Sequence, residues 1–330
     1  MNDKLKNFLS LLLRFGLSAA LLFYLYKKID FEKALGVLKT ASVVDLFFAG
    51  LVFIVINIIL LVRWYVYVKA LELNAPFVSV VRYFFIGLFG NLFLPSAIGG
   101  DFIKIVGLCM YSTQKAKVVA SVILDRLSGF AGMVTVAIAA YVCGYRLMSS
   151  LSLGLPILIM AIVSVTITVI LFNEKIYSFC CIVFSFLPKI KHSLMSLHYD
   201  IALLKDRKSA LYKAVGISCA AQVLAALAYY FVGKALHQDI ALFYLILFMP
   251  LICVAAAMPS IGGLGVREAG VAYLLAKIGV DSGVAVSISL INFLFMVAAG
   301  LIGGLIYLAT KSSAAVKLPS AGGPAVSHNT

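Results

Sequence analysis

The sequence predicts an all-α polytopic membrane protein, with about six full spans and two re-entrant helical hairpins arranged as an inverted repeat. Three observations predict it. The 330 residues are 63% hydrophobic and 12% charged, with a mean hydropathy of +1.10, whereas a soluble domain carries charge on about a quarter of its residues. Apolar runs long enough to cross a bilayer recur along the chain, about 20 helical residues being needed for each crossing. Two further apolar stretches are interrupted in the same way, NLFLPSAIGGDFIK at 91–104 and MPSIGGLGVREAG at 258–270. Paired interruptions at corresponding places in two halves point to the binding site of a transporter.

The first run, about 9–26, follows a basic start (Lys4, Lys6) but lacks a small-residue cleavage site, so it reads as a retained helix. Segment 27–43 carries Lys27, Lys28, Lys33 and Lys39 among Ile29, Phe31, Leu35 and Leu38, the pattern of an interfacial helix. A span follows at about 44–68, then the first hairpin at about 80–110, then spans at about 121–145 and 153–172. Segment 176–187 is too short to cross and reads as interfacial or half-inserted. The basic stretch 188–213 precedes a span at about 212–236, the second hairpin at about 240–277 and a last span at about 285–308. One transmembrane domain thus fills residues 1–311, and the small, Pro- and Gly-bearing residues 312–330 read as a disordered tail.

The net charge of +14 would suggest nucleic acid in a soluble protein. Here the bases sit in the links between apolar runs, where they set topology and meet anionic head groups; no nucleic-acid partner is expected. Lys69 and Arg82, Lys115 and Lys117, the cluster within 188–213 and Lys311 and Lys317 all fall on the side of the N-terminus. Both termini are therefore placed in the cytoplasm, with the first hairpin open inward and the second outward. The lysines of 27–43 oppose this layout, since it leaves them outside.

Chemistry concentrates at the two breaks. At the first, Pro95 and Ser96 precede Gly99 and Gly100, whose missing side chains let backbone N–H groups approach a ligand at a new helix start, where an anion is favoured. Asp101 and Lys104 share a helical face and can pair with each other or with a phosphate. Asn91 stands where it can cap or line the break. At the second, Pro259, Ser260, Gly262, Gly263 and Gly265 lead to Arg267 and Glu268, and the guanidinium offers a bidentate fork to phosphate or carboxylate. An ionisable group near the bilayer centre costs about 2.5–3.5 kcal/mol on insertion scales, so each needs a partner, water or a substrate. The plainer reading is that Asp101–Lys104 and Arg267–Glu268 are ion pairs that only hold the hairpins. Asp125 and Arg126 open the span after the first hairpin, either as part of its site or snorkelling at the interface. Arg63, beside Trp64, Tyr65 and Tyr67, reads as an interfacial anchor. Asn57, Gln222 and Asn292 read as interhelical hydrogen-bond partners, and Gly300, Gly303 and Gly304 as close helix packing.

Enzyme signatures such as a Walker A loop, Gly-x-Ser-x-Gly or His-Glu-x-x-His do not occur, the four histidines do not cluster by spacing, and the six cysteines form no disulfide or zinc pattern. The expectation is a protein that is not an enzyme, with no cofactor and no metal.

Together these motifs resemble a known family. Asn91, Leu94, Pro95, Ser96, Gly99, Gly100, Asp101 and Lys104, then Asp125 and Arg126, then Pro259, Ser260, Gly262, Gly263, Leu264, Gly265, Arg267 and Glu268 are similar to the signature of the lysylphosphatidylglycerol synthase transmembrane-region family of flippase-like membrane proteins. The likeness covers about residues 5–310. It implies an integral protein of the bacterial or archaeal cytoplasmic membrane that translocates a phospholipid or other lipid-linked anion. The best understood members move aminoacylated phosphatidylglycerol between leaflets, and others are tied to polyprenyl-linked sugars or hopanoids. Two departures matter: no soluble aminoacyl-transferase domain follows, so lysyl transfer is not expected, and Lys104 stands where the family commonly has Arg. The partners implied are membrane lipids, a second copy of the chain as a homo-oligomer, or a separate lipid-synthesis enzyme. The alternative function is a non-transporting partner or regulator of a lipid-modifying or glycosyl-transfer enzyme, docking through 188–213.

Overall fold

The computed structural model describes residues 36, 39–93, 99–144, 154–172, 208–256 and 264–315. Among them it is all-helical, with nine helices: α1 Val43–Ala70, α2 Phe77–Phe93, α3 Gly99–Leu108, α4 Lys115–Cys143, α5 Gly154–Phe172, α6 Lys208–Ala235, α7 Leu242–Ala256, α8 Val266–Ala276 and α9 Ser282–Ala315. The expected first span at 9–26, the segment 176–187 and most of 27–43, 188–213 and the tail lie outside the described residues.

Four helices, α1, α4, α6 and α9, are long and apolar enough to cross a membrane. The 28 residues of α1 extend about 42 Å at 1.5 Å per residue, close to a bilayer with its head groups. The start of α1 is set by Ser42, whose hydroxyl accepts the Asp45 N–H at 3.4 Å, with Asp45 in the positive first turn and Lys69 in the negative last turn. Asp281 does the same for α9, its carboxylate accepting the N–H groups of Gly283 at 2.8 Å and Val284 at 3.4 Å. The helix α8 opens on Gly265 and is followed by Gly279, both at φ +85°, a backbone conformation that glycine takes without strain.

The helices α2, α3, α7 and α8 are shorter, and each break falls between two of them. The 10 residues of α3 extend about 15 Å, half of a hydrocarbon core. α2 and α3 lie antiparallel and very close. A Cβ on Gly87 or Gly100 would run into the facing backbone, one on Gly90 into Ile103, and one on Gly107 into the Tyr83 ring. The second pair is looser. A Cβ on Gly270 would meet the Ala255 methyl at 3.3 Å, and α7 carries Pro250 inside it, which removes one backbone hydrogen bond.

Two apolar cores follow the two breaks. One joins Trp64, Tyr67 and Val68 of α1 with Val80 and Phe84 of α2, Leu108 of α3 and Val122 and Leu124 of α4. The other joins Leu245, Leu247 and Phe248 of α7 with Val271 and Leu275 of α8, Ala285 and Ile288 of α9 and Val232 of α6. The helix pair α1 and α6 packs between them, α2 packs on α9, and α7 packs on α4. Exchanging α1 with α6, α2 with α7, α3 with α8 and α4 with α9 turns the α2–α9 contact into the α7–α4 contact. The same exchange turns α3–α4 into α8–α9 and α1–α4 into α6–α9. Gly300, Gly303 and Gly304 of α9 meet Leu92, the Phe85 carbonyl and the Phe89 ring of α2, the close packing the sequence predicts there.

Candidate functional site

The first site is built on one face of α4. Ser121, Asp125, Ser128, Gly129 and Gly132 recur at three- and four-residue spacing, so they line up along the helix. Small residues there bring α1 and α6 close. A Cβ on Gly129 would sit 3.1 Å from an Arg63 guanidinium nitrogen, and one on Gly132 would run into Ser218. In the space so made, Arg63 Nε donates to Asp125 Oδ1 at 2.7 Å and Arg63 Nη1 donates to Ser218 Oγ at 3.1 Å. Trp64 Nε1 donates to Ser121 Oγ at 3.4 Å on the same face.

From Asp125 the charges continue onto α3. Lys104 Nζ lies 3.8 Å from Asp125 Oδ2 and 3.6 Å from Asp101 Oδ1. Arg126 Nε donates to Asp101 Oδ2 at 2.5 Å. Three bases and two acids therefore alternate in one chain, Arg63, Asp125, Lys104, Asp101 and Arg126, linking α1, α3 and α4. Four of the five are buried, Asp125 to 3% exposure, whereas the Arg126 side chain is 42% exposed. Lys104 is further held over the rings of Trp64 and Phe84, its ammonium 5.0 and 5.1 Å from their centres. Asn91 caps the break from α2, its Oδ1 accepting the Gly100 N–H at 2.9 Å. That amide is thus engaged within the protein, and buried Gly100 serves close approach, since a Cβ there would meet the Gly87 carbonyl.

The second site is local. Glu268, fully buried, accepts the Gly265 N–H at 2.6 Å through Oε2, capping its own helix. Its Oε1 accepts from Arg267 and, at 3.1 Å, from the Ser289 hydroxyl of α9. Arg267 Nε donates in turn to Ser289 Oγ at 3.1 Å, and the guanidinium stacks 4.9 Å from the Phe293 ring centre.

The structure so groups Asn91, Gly100, Asp101, Lys104, Asp125 and Arg126 at one break and Gly265, Arg267 and Glu268 at the other. Gly99 is buried at the start of α3. Pro95, Ser96, Pro259, Ser260, Gly262 and Gly263 lie outside the described residues. Three expectations need correction. Arg63 is no interfacial anchor: it is a buried partner of Asp125, and its neighbours Trp64 and Tyr67 are fully buried rather than in a belt. Asp125 and Arg126 do not open a helix, because α4 begins at Lys115 and carries them into about its third turn. Asn57 and Asn292 do not bridge helices among the described residues; their amides donate to the carbonyls of Phe53 and Ile288 on their own helices. Gln222 does meet another helix, at Cys253 of α7.

Sequence reasoning missed Arg63, Ser218 and Ser289 as site members. Arg63 had a signal, a base inside an apolar run, which its aromatic neighbours disguised as an anchor. The two serines carry none, since their partners are distant in sequence.

The chain resembles a curated protein described as "UPF0104 membrane protein PH1989" from Pyrococcus horikoshii, 26% identical over 311 residues, which covers 85% of this chain and 91% of that one. Residues 11–304 match the family described as the lysylphosphatidylglycerol synthase TM region. With apolar spans, two charged helix breaks and a match over most of its length, the protein is a multi-pass membrane protein that belongs to the lysylphosphatidylglycerol synthase TM-region family.

Proposed function

We propose that the protein translocates a phospholipid or other lipid-linked anion between the leaflets of a cytoplasmic membrane. The observation that carries this reading is the alternating chain of five charges at the first break, four of them buried, among helices apolar enough to span a bilayer. Ion pairs alone would cost desolvation without return, since replacing a buried pair by apolar side chains is often neutral or stabilising. Retaining three bases and two acids there suits a site that exchanges partners with a charged substrate. Arg126, the base whose side chain reaches furthest toward solvent, is the one a head-group phosphate meets first.

In this reading α2–α3 and α7–α8 are re-entrant hairpins of inverted halves. The pairwise exchange that relates α2–α9 to α7–α4, α3–α4 to α8–α9 and α1–α4 to α6–α9 supports it, while the close α4–α6 packing has no α1–α9 counterpart of like extent. The head group passes between the hairpins while the acyl or prenyl chains stay in lipid, and rocking of one half against the other about α1 and α6 changes the open side. No covalent step is required of the protein.

The test is leaflet exchange of acyl-labelled anionic lipid in proteoliposomes. Wild type should exchange lipid well above protein-free vesicles, and Asp101→Ala and Arg267→Ala, inserted normally, should lose most of it. Folded wild-type protein without exchange of any lipid would sink the proposal.

A further inference from the structure

The two oxygens of Asp101 are treated differently. Oδ2 receives Arg126 Nε at 2.5 Å. Oδ1 is buried and, among the described residues, receives no hydrogen bond. The ammonium of Lys104 stands 3.6 Å from it, outside the 2.7–2.9 Å of a charge-assisted hydrogen bond. A buried acceptor left unpaired forgoes its hydration, and the large majority of such groups in proteins are satisfied.

The gap is held open by its surroundings. Lys104 does not close on Oδ1 because it is divided between two carboxylates and two aromatic faces. The backbone that carries Asp101 is held too, since α3 is pressed against α2 at Gly87 and Gly100 and the Gly100 N–H donates to Asn91. The Oδ2 bond to Arg126 clamps the other side of the carboxylate. An acceptor fixed in this way, between bases suited to a phosphate, calls for a hydrogen-bond donor carried close to that phosphate.

We propose that Asp101 Oδ1 is a specificity element: it accepts a hydrogen bond from an O–H or N–H donor of the lipid head group while neighbouring bases meet the phosphate. The inference rests on the lipid-translocation reading and adds the head-group chemistry to it. A head group without a donor would leave the oxygen as it is now and forgo that bond. The donor has two possible sources, a hydroxyl of a polyol head group or an ammonium of an amine head group, and paired lipids separate them. Phosphatidylglycerol and phosphatidylmethanol have the same charge and differ in the hydroxyls. Phosphatidylethanolamine and phosphatidylcholine have the same charge and differ in the N–H donors.

The experiment measures two things on the full-length protein. One is the lipid concentration that half-maximally raises the melting temperature in detergent. The other is exchange of the same lipids in proteoliposomes. A hydrogen bond to a charged group is worth about 1.5–3 kcal/mol, so wild type should prefer the donor-bearing member of at least one pair by roughly tenfold or more. The preferred pair identifies hydroxyl or ammonium. Asp101→Ala should bring the ratio to about one. Asp101→Asn, which keeps the shape and can turn its amide N–H2 to the open position, should abolish or invert the preference even if the alanine variant does not fold.

Equal response to both members of both pairs in wild type would overturn the proposal and leave an ordered water as the partner of Oδ1. A preference that survives both substitutions would overturn it as well, because the donor would then be read elsewhere. Discrimination in binding without exchange of any lipid would uphold the head-group selection and sink translocation. Exchange without discrimination would do the reverse, and stabilisation by none of the lipids together with no exchange would sink both.

Discussion

The two breaks use similar residues in opposite ways. At the first, an acid and a base three residues apart on α3 are tied to α1 and α4 by ion pairs that span up to 62 residues of sequence. The α2–α3 hairpin there is zipped by glycines on both helices and capped from the far helix by Asn91. At the second, Arg267 and Glu268 are sequence neighbours that pair with each other, and Glu268 caps its own helix. Among the described residues its hairpin contains a proline and one glycine contact without a clash, Gly270 facing the Ala255 methyl. The first break is thus tied across α1, α3 and α4, whereas the second is built mainly within α8, with Ser289 and Phe293 of α9 as its long-range partners. A lesion in the first should loosen several helices together, and one in the second should act mainly on α8.

The strongest way to break this contrast is Arg63→Ala. It leaves Asp125 buried with Lys104 at 3.8 Å as its remaining charge partner, and removing one member of a buried pair costs about 3–5 kcal/mol. We expect the largest drop in melting temperature in detergent of any variant discussed here; a near-wild-type value would show that the α1–α4 link carries no load. Glu268→Gln comes next. Its amide oxygen can still accept the Gly265 N–H, but Arg267 loses its charged partner, at a cost of about 1.5–3 kcal/mol. Hydrogen exchange should rise on α8 and around Ser289 of α9 while α7 keeps its protection, and general loss of protection would erase the mainly local character assigned to this break.

Two smaller effects sharpen the comparison of the hairpins. Gly100→Ala forces the α2 backbone away from α3 and should cost about 1–3 kcal/mol, whereas Gly270→Ala needs a shift of only tenths of an ångström against Ala255. Melting temperatures should fall clearly for the first and little for the second; equal shifts would mean that the first hairpin is no tighter than the second. Asn91→Ala removes one cap and should cost about 1 kcal/mol, the smallest change in the set. A loss as large as that of Arg63→Ala would show that Asn91 does more than hold the Gly100 amide.

The division between local and tertiary also explains what the sequence discloses. Helix positions are legible because apolar runs map directly onto spans: the expected 44–68, 212–236 and 285–308 correspond to Val43–Ala70, Lys208–Ala235 and Ser282–Ala315. The start of α4 is not, because Lys115 and Lys117 interrupt the apolar run without interrupting the helix. A start at 121 leaves Asp125 at a helix end, open to either a site role or snorkelling, whereas the structure buries it well inside α4. The pairs Asp101–Lys104 and Arg267–Glu268 are legible from spacing alone, since helix geometry or adjacency brings them together. Arg63 with Asp125 and Ser218 is not, because its partners depend on how α1, α4 and α6 cross. The asparagines show the same limit, as Asn57 and Asn292 found the carbonyl one turn back before any neighbouring helix.

The claim that unites the two breaks is that they are corresponding parts of inverted halves, opening to opposite faces of the membrane. Tyr111, just after α3, and Gly279, just after α8, are both exposed, and on that claim they stand at equivalent positions in the two halves. Single cysteines placed at each, in an otherwise cysteine-free protein in sealed vesicles of known orientation, should react with a membrane-impermeant maleimide from opposite sides. Labelling of both from the same side would contradict the inverted arrangement and the alternating access built on it.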